Sequence, residues 1–431
     1  MFRYRNGKRS LSLCAAAVAF VWLSGPRSAA DDVRESRAVA KTAVAVKAQP
    51  TKAKRAPKLD VDVQSALLHG RRKGTKWVAQ EGEREIELTL SAALQDKARQ
   101  IFDQYQVPYA AMAAIEPSTG RMLGYLGVSR EAPPTAADPV RDTSPPAASV
   151  FKLITASALV DAGVSLSDRT CFNGGGSRID KVHLQDDPKR ERTCATLDEA
   201  LGKSLNAVFA KLADRHLDAA KLHSYGRAFG FGHTLPFELA PPASPFEVPG
   251  DRLEFARTAA GFWHTHMSPL HAALIAATIA NDGAMPIPYA VQHISGPADV
   301  STGELGRRGS RRVISPATAR AVGHMMLRTV TDGTSRSAFL DERGRTLLPG
   351  IAVAGKTGSL SGNNPFKAYS WWVGYAPADK PRIALAVLVV NGALWRIKSS
   401  FVARELLREY LGQPARPNLA RRAPATARAR Q

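Results

Sequence analysis

Between residues 85 and 412 the chain alternates stretches of period two with stretches of helical period, separated by turn residues. Glu85-Ile86-Glu87-Leu88-Thr89-Leu90 alternates polar and apolar side chains and predicts a half-buried strand. From Ser91 the period lengthens, and apolar residues recur on one helical face through Ile101 and Tyr105. Residues 109–115 and 121–127 flank Glu116-Pro117-Ser118-Thr119-Gly120 and predict a hairpin with a turn-rich tip. A Pro-rich approach from Pro133-Pro134 to Pro145-Pro146 then leads into an apolar run, Val150 to Val160, that reads as a buried helix.

Residues 196–212 carry an amphipathic helical pattern, and Ser268-Pro269 opens another helix that closes at Asn281-Asp282-Gly283. Residues 295–312, rich in Gly, Ser and Arg, predict a solvated loop. Residues 351–358, 370–376 and 382–390 read as three successive strands, and 401–411 as a terminal helix. There is no internal repeat.

The ends of the chain differ from this body. The formal charge of +21 is concentrated in them: residues 1–76 carry about +12 and residues 413–431 about +5, leaving about +4 for the rest. Arg3, Arg5, Lys8 and Arg9 precede an apolar stretch at 11–23, and Ser28-Ala29-Ala30 stands before Asp31-Asp32. That is the layout of a secretory signal, at about 13 apolar residues too short for an ordinary membrane span. Residues 1–30 are therefore expected to be a signal cleaved after Ala30 or an N-terminal membrane anchor. Cys14 follows Leu13, where a lipidation site wants a small residue. Residues 31–84 predict a flexible basic linker and 413–431 a disordered basic tail.

Export places the protein outside the cytoplasm, on the periplasmic face of the membrane or secreted, and removes nucleic acid as a partner for the basic tails. Anionic headgroups and wall polymers remain. In an oxidising compartment Cys171 and Cys194 read as a disulfide closing a Gly-rich, charged loop, with two unpaired thiols as the alternative.

Three short signals carry the chemistry. Ser149-Val150-Phe151-Lys152 is the chain's one Ser-x-x-Lys, and on a helix it sets hydroxyl and amine one turn apart on the same face. An amine so placed can take the hydroxyl proton, and because it opens an apolar run it is buried, which lowers its proton affinity. Ser204-Leu205-Asn206 and Lys356-Thr357-Gly358-Ser359 follow in that order. A second Ser-x-Asn, Ser361-Gly362-Asn363, comes after the Lys-Thr-Gly and reads as a loop.

The ordered set Ser-x-x-Lys, Ser-x-Asn, Lys-Thr-Gly resembles the transpeptidase domain of penicillin-binding proteins, within the serine D,D-peptidase and β-lactamase-like superfamily. The resemblance runs from about Glu85 to about Gly412. It includes Ala114 to Gly120, Met267-Ser268-Pro269-Leu270 with Ala277 to Gly283, and Ser370 to Pro377 after the Lys-Thr-Gly. It implies an α+β fold, a central antiparallel sheet flanked by helices with an inserted helical subdomain. Ser149 is then the acylated nucleophile, Lys152 its base, Ser204 a proton relay to the leaving amine and Asn206 a holder of Lys152 and the substrate amide. Lys356 adds positive potential and, with Thr357 and Ser359, receives the substrate carboxylate, while Gly358 allows close approach. The backbone N–H groups of Ser149 and Ser359 form the oxyanion hole. The sequence departs from the family in having Ala148 before the nucleophile, where Gly is usual, and Leu153 after the lysine, where Pro is usual.

The resemblance implies a D,D-transpeptidase acting on D-Ala-D-Ala stem peptides of peptidoglycan and acylated by β-lactams, without cofactor or metal. Too few residues precede the domain for a glycosyltransferase module, so a separate cell-wall glycosyltransferase is an expected partner, and the N-terminus an expected contact with the membrane. A D,D-carboxypeptidase would use the same acyl-enzyme. A serine β-lactamase would need a positioned deacylating base that is not evident, and a non-catalytic penicillin-binding scaffold or sensor would keep the motifs idle. His264, His266 and His271 lack a spacing suited to a metal and read as groove or structural residues. Trp371 and Trp372, adjacent on a strand, should divide between groove wall and core.

Overall fold

A computed structural model of the chain describes residue 59 and residues 61–130, 136–296, 300–301, 309–362 and 365–412. The signal or anchor at 1–30, the linker to residue 58, Asn363 and the tail at 413–431 lie outside the described residues.

The first departure from expectation precedes Glu85. The last part of the supposed linker, 31–84, is folded: α1 (Val63–His69) is followed by β1 (Arg71–Lys73), β2 (Lys76–Glu81) and β3 (Arg84–Leu88). The cause is Trp77-Val78-Ala79, all buried, in a strand whose Trp77 faces Leu88 and whose Ala79 faces Ile86. Three apolar residues among Lys and Arg are too few to reveal a period. They become a strand because the edge of β3 is there to pair with.

Ser91 accepts the Leu94 N–H and caps α2 (Ala92–Gln104), which buries Leu94, Ala98, Ile101 and Phe102. The predicted hairpin is β4 (Tyr109–Ile115) and β5 (Met122–Ser129). The nucleophile turn leads into α3 (Lys152–Asp161), followed by the short pair β6 (Arg169–Phe172) and β7 (Thr193–Thr196). Helices α4 (Leu197–Lys203), α5 (Asn206–His216), α6 (Ala219–Phe229), α7 (Arg252–Ala259) and α8 (Pro269–Ala280) come next. The expected single helix over 196–212 is thus two, because Ser204 adopts a left-handed conformation, φ 57° and ψ 41°, that ends α4.

Strands β8 (Ala284–Pro286) and β9 (Val291–Ser295) follow, and β10 (Val300–Ser301) and β11 (Ser310–Arg312) occupy part of the stretch 295–312 expected to be loop, since β10 pairs with β9 and β11 with β8. Next come α9 (Pro316–Thr331), capped by Ser315 with Pro316 at its first position, and the short α10 (Arg336–Phe339). The chain finishes with β12 (Ala354–Gly362), β13 (Lys367–Ala376), β14 (Ile383–Asn391) and α11 (Ser399–Tyr410).

The central sheet has the order β12-β13-β14-β4-β5, all antiparallel. Every residue of β14 is buried, as a strand covered on both faces requires. Alternation splits β14 and its neighbours between two cores. Ala111, Ala113, Trp371, Val373 and Leu388 face one layer, where α8 packs; Ala110, Met112, Trp372, Val387 and Val389 face the other, covered by α2 and α11. A smaller sheet, β1-β2-β3-β9-β10, joins the first core through Trp77, Ile86 and Ile294.

If β2 is integral to the fold, Trp77→Ala should cost about 3 kcal/mol of unfolding free energy. Because the Trp77 Nε1 is buried without a hydrogen-bond partner, Trp77→Phe forfeits no bond and should cost only about 1 kcal/mol. Urea titrations of the two variants check both values.

Candidate active site

Ser149 lies in a single 3-10 turn, Ala148–Phe151, that runs into α3. The approach is pinned from two sides. Ala147 donates its N–H to the Thr265 carbonyl (2.9 Å), Met267 donates to the Pro145 carbonyl (3.0 Å), and Trp371 Nε1 donates to the Pro146 carbonyl (2.9 Å). Gly358 of β12 lies against this turn, and a Cβ there would stand 3.0 Å from Val150 Cγ2. The strand carrying Lys-Thr-Gly and the nucleophile turn can meet this closely because that side chain is absent.

Lys152 is fully buried, with its Nζ 2.9 Å from Ser149 Oγ, 2.6 Å from Asn206 Oδ1 and within hydrogen-bond distance of the Ala260 carbonyl. Burial, reinforced by the charge of Lys356, holds its proton affinity well below the usual lysine range. The partners suit a neutral amine, whose two protons go to Asn206 Oδ1 and the Ala260 carbonyl while its lone pair faces the Ser149 hydroxyl. Asn206 opens α5 and is held in turn by donating Nδ2–H to the Gly176 carbonyl (2.5 Å).

A second buried amine stands behind the next motif. Lys356 Nζ donates to Ser204 Oγ (2.9 Å) and to the Thr357 carbonyl (2.7 Å), and burial lowers its pKa to about 7. The left-handed turn that splits α4 from α5 delivers Ser204 to this amine. Both lysines bind protons more weakly in the folded than in the unfolded chain, where the usual value is about 10.4, so each favours folding more as pH rises; for Lys356 that contribution is full above about 10.4 and is lost as pH falls through about 7.

Ser149, Ser204, Asn206, Thr357 and Ser359 line one cleft of about 270 Å³, and Lys152, Lys356 and Gly358 are buried beside it. All eight residues singled out by the three motifs therefore meet at one place. The cleft wall also includes Thr334, Ser370, Trp395, Lys398 and Ser400, which sequence reasoning missed. Ser370 opens the Ser370 to Pro377 run but is assigned no role there, the other four belong to no motif, and Thr334 follows a helix that the hydrophobic pattern did not announce. Trp371 lines the cleft, whereas Trp372 belongs to the opposite core.

Cys171 and Cys194 face each other across β6 and β7 and are joined by a disulfide, closing the loop that carries Gly176. His271 is buried, with Nε2 on the Phe229 carbonyl and Nδ1 on Ser244 Oγ. His264 contacts Glu254, and His266 the Ser144 carbonyl. Among the described residues no group of three His, Cys, Asp or Glu side chains converges as a metal site.

Residues 110–412 match the penicillin binding protein transpeptidase domain family. The chain belongs to this family. Among its relatives, the peptidoglycan D,D-transpeptidase PbpA of Mycobacterium tuberculosis is 30% identical over 319 residues, covering 66% of this chain and 62% of its own length. The stage V sporulation protein D of Bacillus subtilis is 28% identical over 266 residues, covering 59% and 39%. The chain thus spans less than two thirds of the length of these curated relatives. In structure it is similar to penicillin-binding protein A of M. tuberculosis in an imipenem acyl-enzyme complex, with a TM-score of 0.60 at 26% identity over 76% of this chain and 79% of that one. The α+β arrangement with antiparallel sheets is that of penicillin-binding-protein transpeptidase domains.

Ala148, where the family usually has Gly, has φ 49°. A left-handed conformation costs a residue with a Cβ roughly 1–2 kcal/mol, part of which glycine would return through the greater entropy of its unfolded chain. Ala148→Gly should therefore raise the unfolding free energy by about 0.5–1 kcal/mol in chemical denaturation. A loss of stability would show that the turn carries no such strain.

Proposed function

We propose that this protein is a peptidoglycan D,D-transpeptidase that works through an acyl-enzyme on D-Ala-D-Ala stem peptides and is acylated by β-lactams. The observation that carries the reading is the 2.9 Å contact between Ser149 Oγ and the buried Nζ of Lys152. Neutral Lys152 accepts the Ser149 proton as Oγ attacks the carbonyl carbon of the penultimate D-Ala. The N–H groups of Ser149, at a helix start, and of Ser359 stabilise the oxyanion. Collapse breaks the peptide bond, and the proton passes by way of Ser204 to the departing amine.

Ser204 suits that relay because its oxygen accepts from Lys356, leaving its own proton to donate. Thr357 and Ser359, beside the positive charge of Lys356, receive the terminal carboxylate, and Asn206 steadies both Lys152 and the substrate amide. Attack by an acceptor amine then reverses the sequence and forms the cross-link. The charged N-terminal stretch with its short apolar run supports work outside the cytoplasm, with the N-terminus at the membrane surface and a separate glycosyltransferase supplying glycan strands. Among the described residues no helix is long and apolar enough to cross a membrane.

Intact-mass spectrometry of the purified protein with benzylpenicillin should show one persistent penicilloyl adduct, absent in Ser149→Ala. A short-lived adduct with rapid drug consumption would mark a β-lactamase instead, and no adduct would leave a scaffold.

Acylation needs Lys152 neutral and benefits from Lys356 charged, so its rate should rise as Lys152 loses its proton and fall again as Lys356 does, near pH 7. In Lys356→Met the alkaline fall should vanish and the acidic rise should move to higher pH, because the charge that depresses Lys152 is gone. Stopped-flow acylation across pH reads both limbs.

A further inference from the structure

The Lys-Thr-Gly strand is met across the cleft by a residue from outside the three motifs. Thr334 Oγ1 is 2.6 Å from Thr357 Oγ1, and both line the same cleft as Ser149. Thr334 is held on the turn after α9: its N–H donates to the Gly202 carbonyl at 3.1 Å, two residues before Ser204. That turn sits tightly on α4, since a Cβ at Gly333 would stand 2.1 Å from the Gly202 oxygen. The position of the Thr334 hydroxyl is thus set by the element that presents Ser204.

Two hydroxyls in contact share one proton between them, and which one donates decides what the other can do. When Thr334 donates to Thr357 Oγ1, the Thr357 proton is free to turn into the cleft. When Thr357 donates to Thr334, it offers the cleft only lone pairs, which repel an anion. A carboxylate accepts hydrogen bonds and never donates them, so only the first arrangement can bind one. The Thr334 hydroxyl has an alternative acceptor in the Gly202 carbonyl, but at 3.5 Å, well beyond the 2.6 Å to Thr357.

We propose that Thr334 is a specificity-determining positioning residue, whose hydroxyl aims the Thr357 proton at the terminal carboxylate of the acyl donor and so favours donors with a free C-terminal carboxylate over those without one. The proposal rests on the acyl-transfer reading above. Thr334 acts through Thr357, and the two hydroxyls polarise each other in a short chain that ends on the anion.

The test compares two thioester donors, an N-acyl-D-alanyl thioglycolate with its free carboxylate and the methyl ester of the same compound, on wild type, Thr334→Val and Thr334→Ser. Thr334→Val keeps the shape and removes the hydroxyl. It should lower kcat/KM for the carboxylate donor roughly tenfold, the scale of one charge-assisted hydrogen bond, and leave the ester unchanged. Thr334→Ser should restore the wild-type preference, and the melting temperatures of all three should agree. An equal loss on both donors would assign Thr334 to support of the Ser204 turn and overturn the proposal, as would no change on either. A wild-type protein that consumes neither donor and takes no benzylpenicillin would overturn the acyl-transfer reading itself, and that result differs from both.

Discussion

The interaction on which the rest of the site depends is the burial of Lys152. A charged amine without solvent would cost several kcal/mol, so the environment selects the neutral form, which is also the form that can accept a proton. Its three neighbours come from three separate segments: Ser149 from the turn before α3, Asn206 from the first residue of α5, and the Ala260 carbonyl from the end of α7. The contact between nucleophile and base, one turn apart, is local, and its chemistry is not. It depends on bringing α5 and the end of α7 onto the same nitrogen.

The central sheet sets the other half of the site. With Lys356 facing Val373 and Gly358 facing Trp371, the register of β12 on β13 fixes which residues of the Lys-Thr-Gly-Ser run are buried and which open into the cleft. Period two buries Lys356 and Gly358 and leaves Thr357 and Ser359 more exposed. A slip of one residue would exchange the two sets, burying the hydroxyls and exposing the amine. Close packing opposes such a slip: a Cβ at Gly358 would stand 3.0 Å from Val150 Cγ2 and one at Gly374 only 2.1 Å from the Ala354 oxygen, so moving other residues into these places would force the strands and the nucleophile turn apart.

Much of this was legible in the chain alone, for reasons that mark where legibility stops. The hairpin of β4 and β5, the helix opened by Ser268-Pro269 and the three closing strands announce themselves because their periods are long enough to exceed chance. The motif residues stand out through residue type and order, and all eight meet at one cleft. By contrast, Trp77-Val78-Ala79 is too short to show a period and becomes a strand through a partner distant in sequence. The break falls on Ser204 itself rather than on a Gly or Pro, Gly202 lying still within α4, because a left-handed serine is stabilised by tertiary contacts such as the one to Lys356. Thr334 carries no signal of its own, since its contact with Thr357 spans 23 residues and two helix ends.

The loop closed by Cys171 and Cys194 connects these scales. In the chain-entropy view a link across this many residues removes on the order of 3 kcal/mol of freedom from the unfolded chain. What the loop does once folded is more specific. Its Gly176 carbonyl holds Asn206, and its Glu191 and the Cys171 carbonyl hold the fully buried Lys211 further along α5. Its Ile179 carbonyl and Asp180 hold Arg257 of α7, three residues before Ala260. One loop therefore fastens both segments that, with the nucleophile turn, surround the Lys152 amine. A buried pair such as Lys211 with Glu191 adds little net stability for its desolvation cost, but it tolerates little displacement of either partner. That intolerance is useful here, because the proton affinity of Lys152 depends on the distance and orientation of groups that the loop positions.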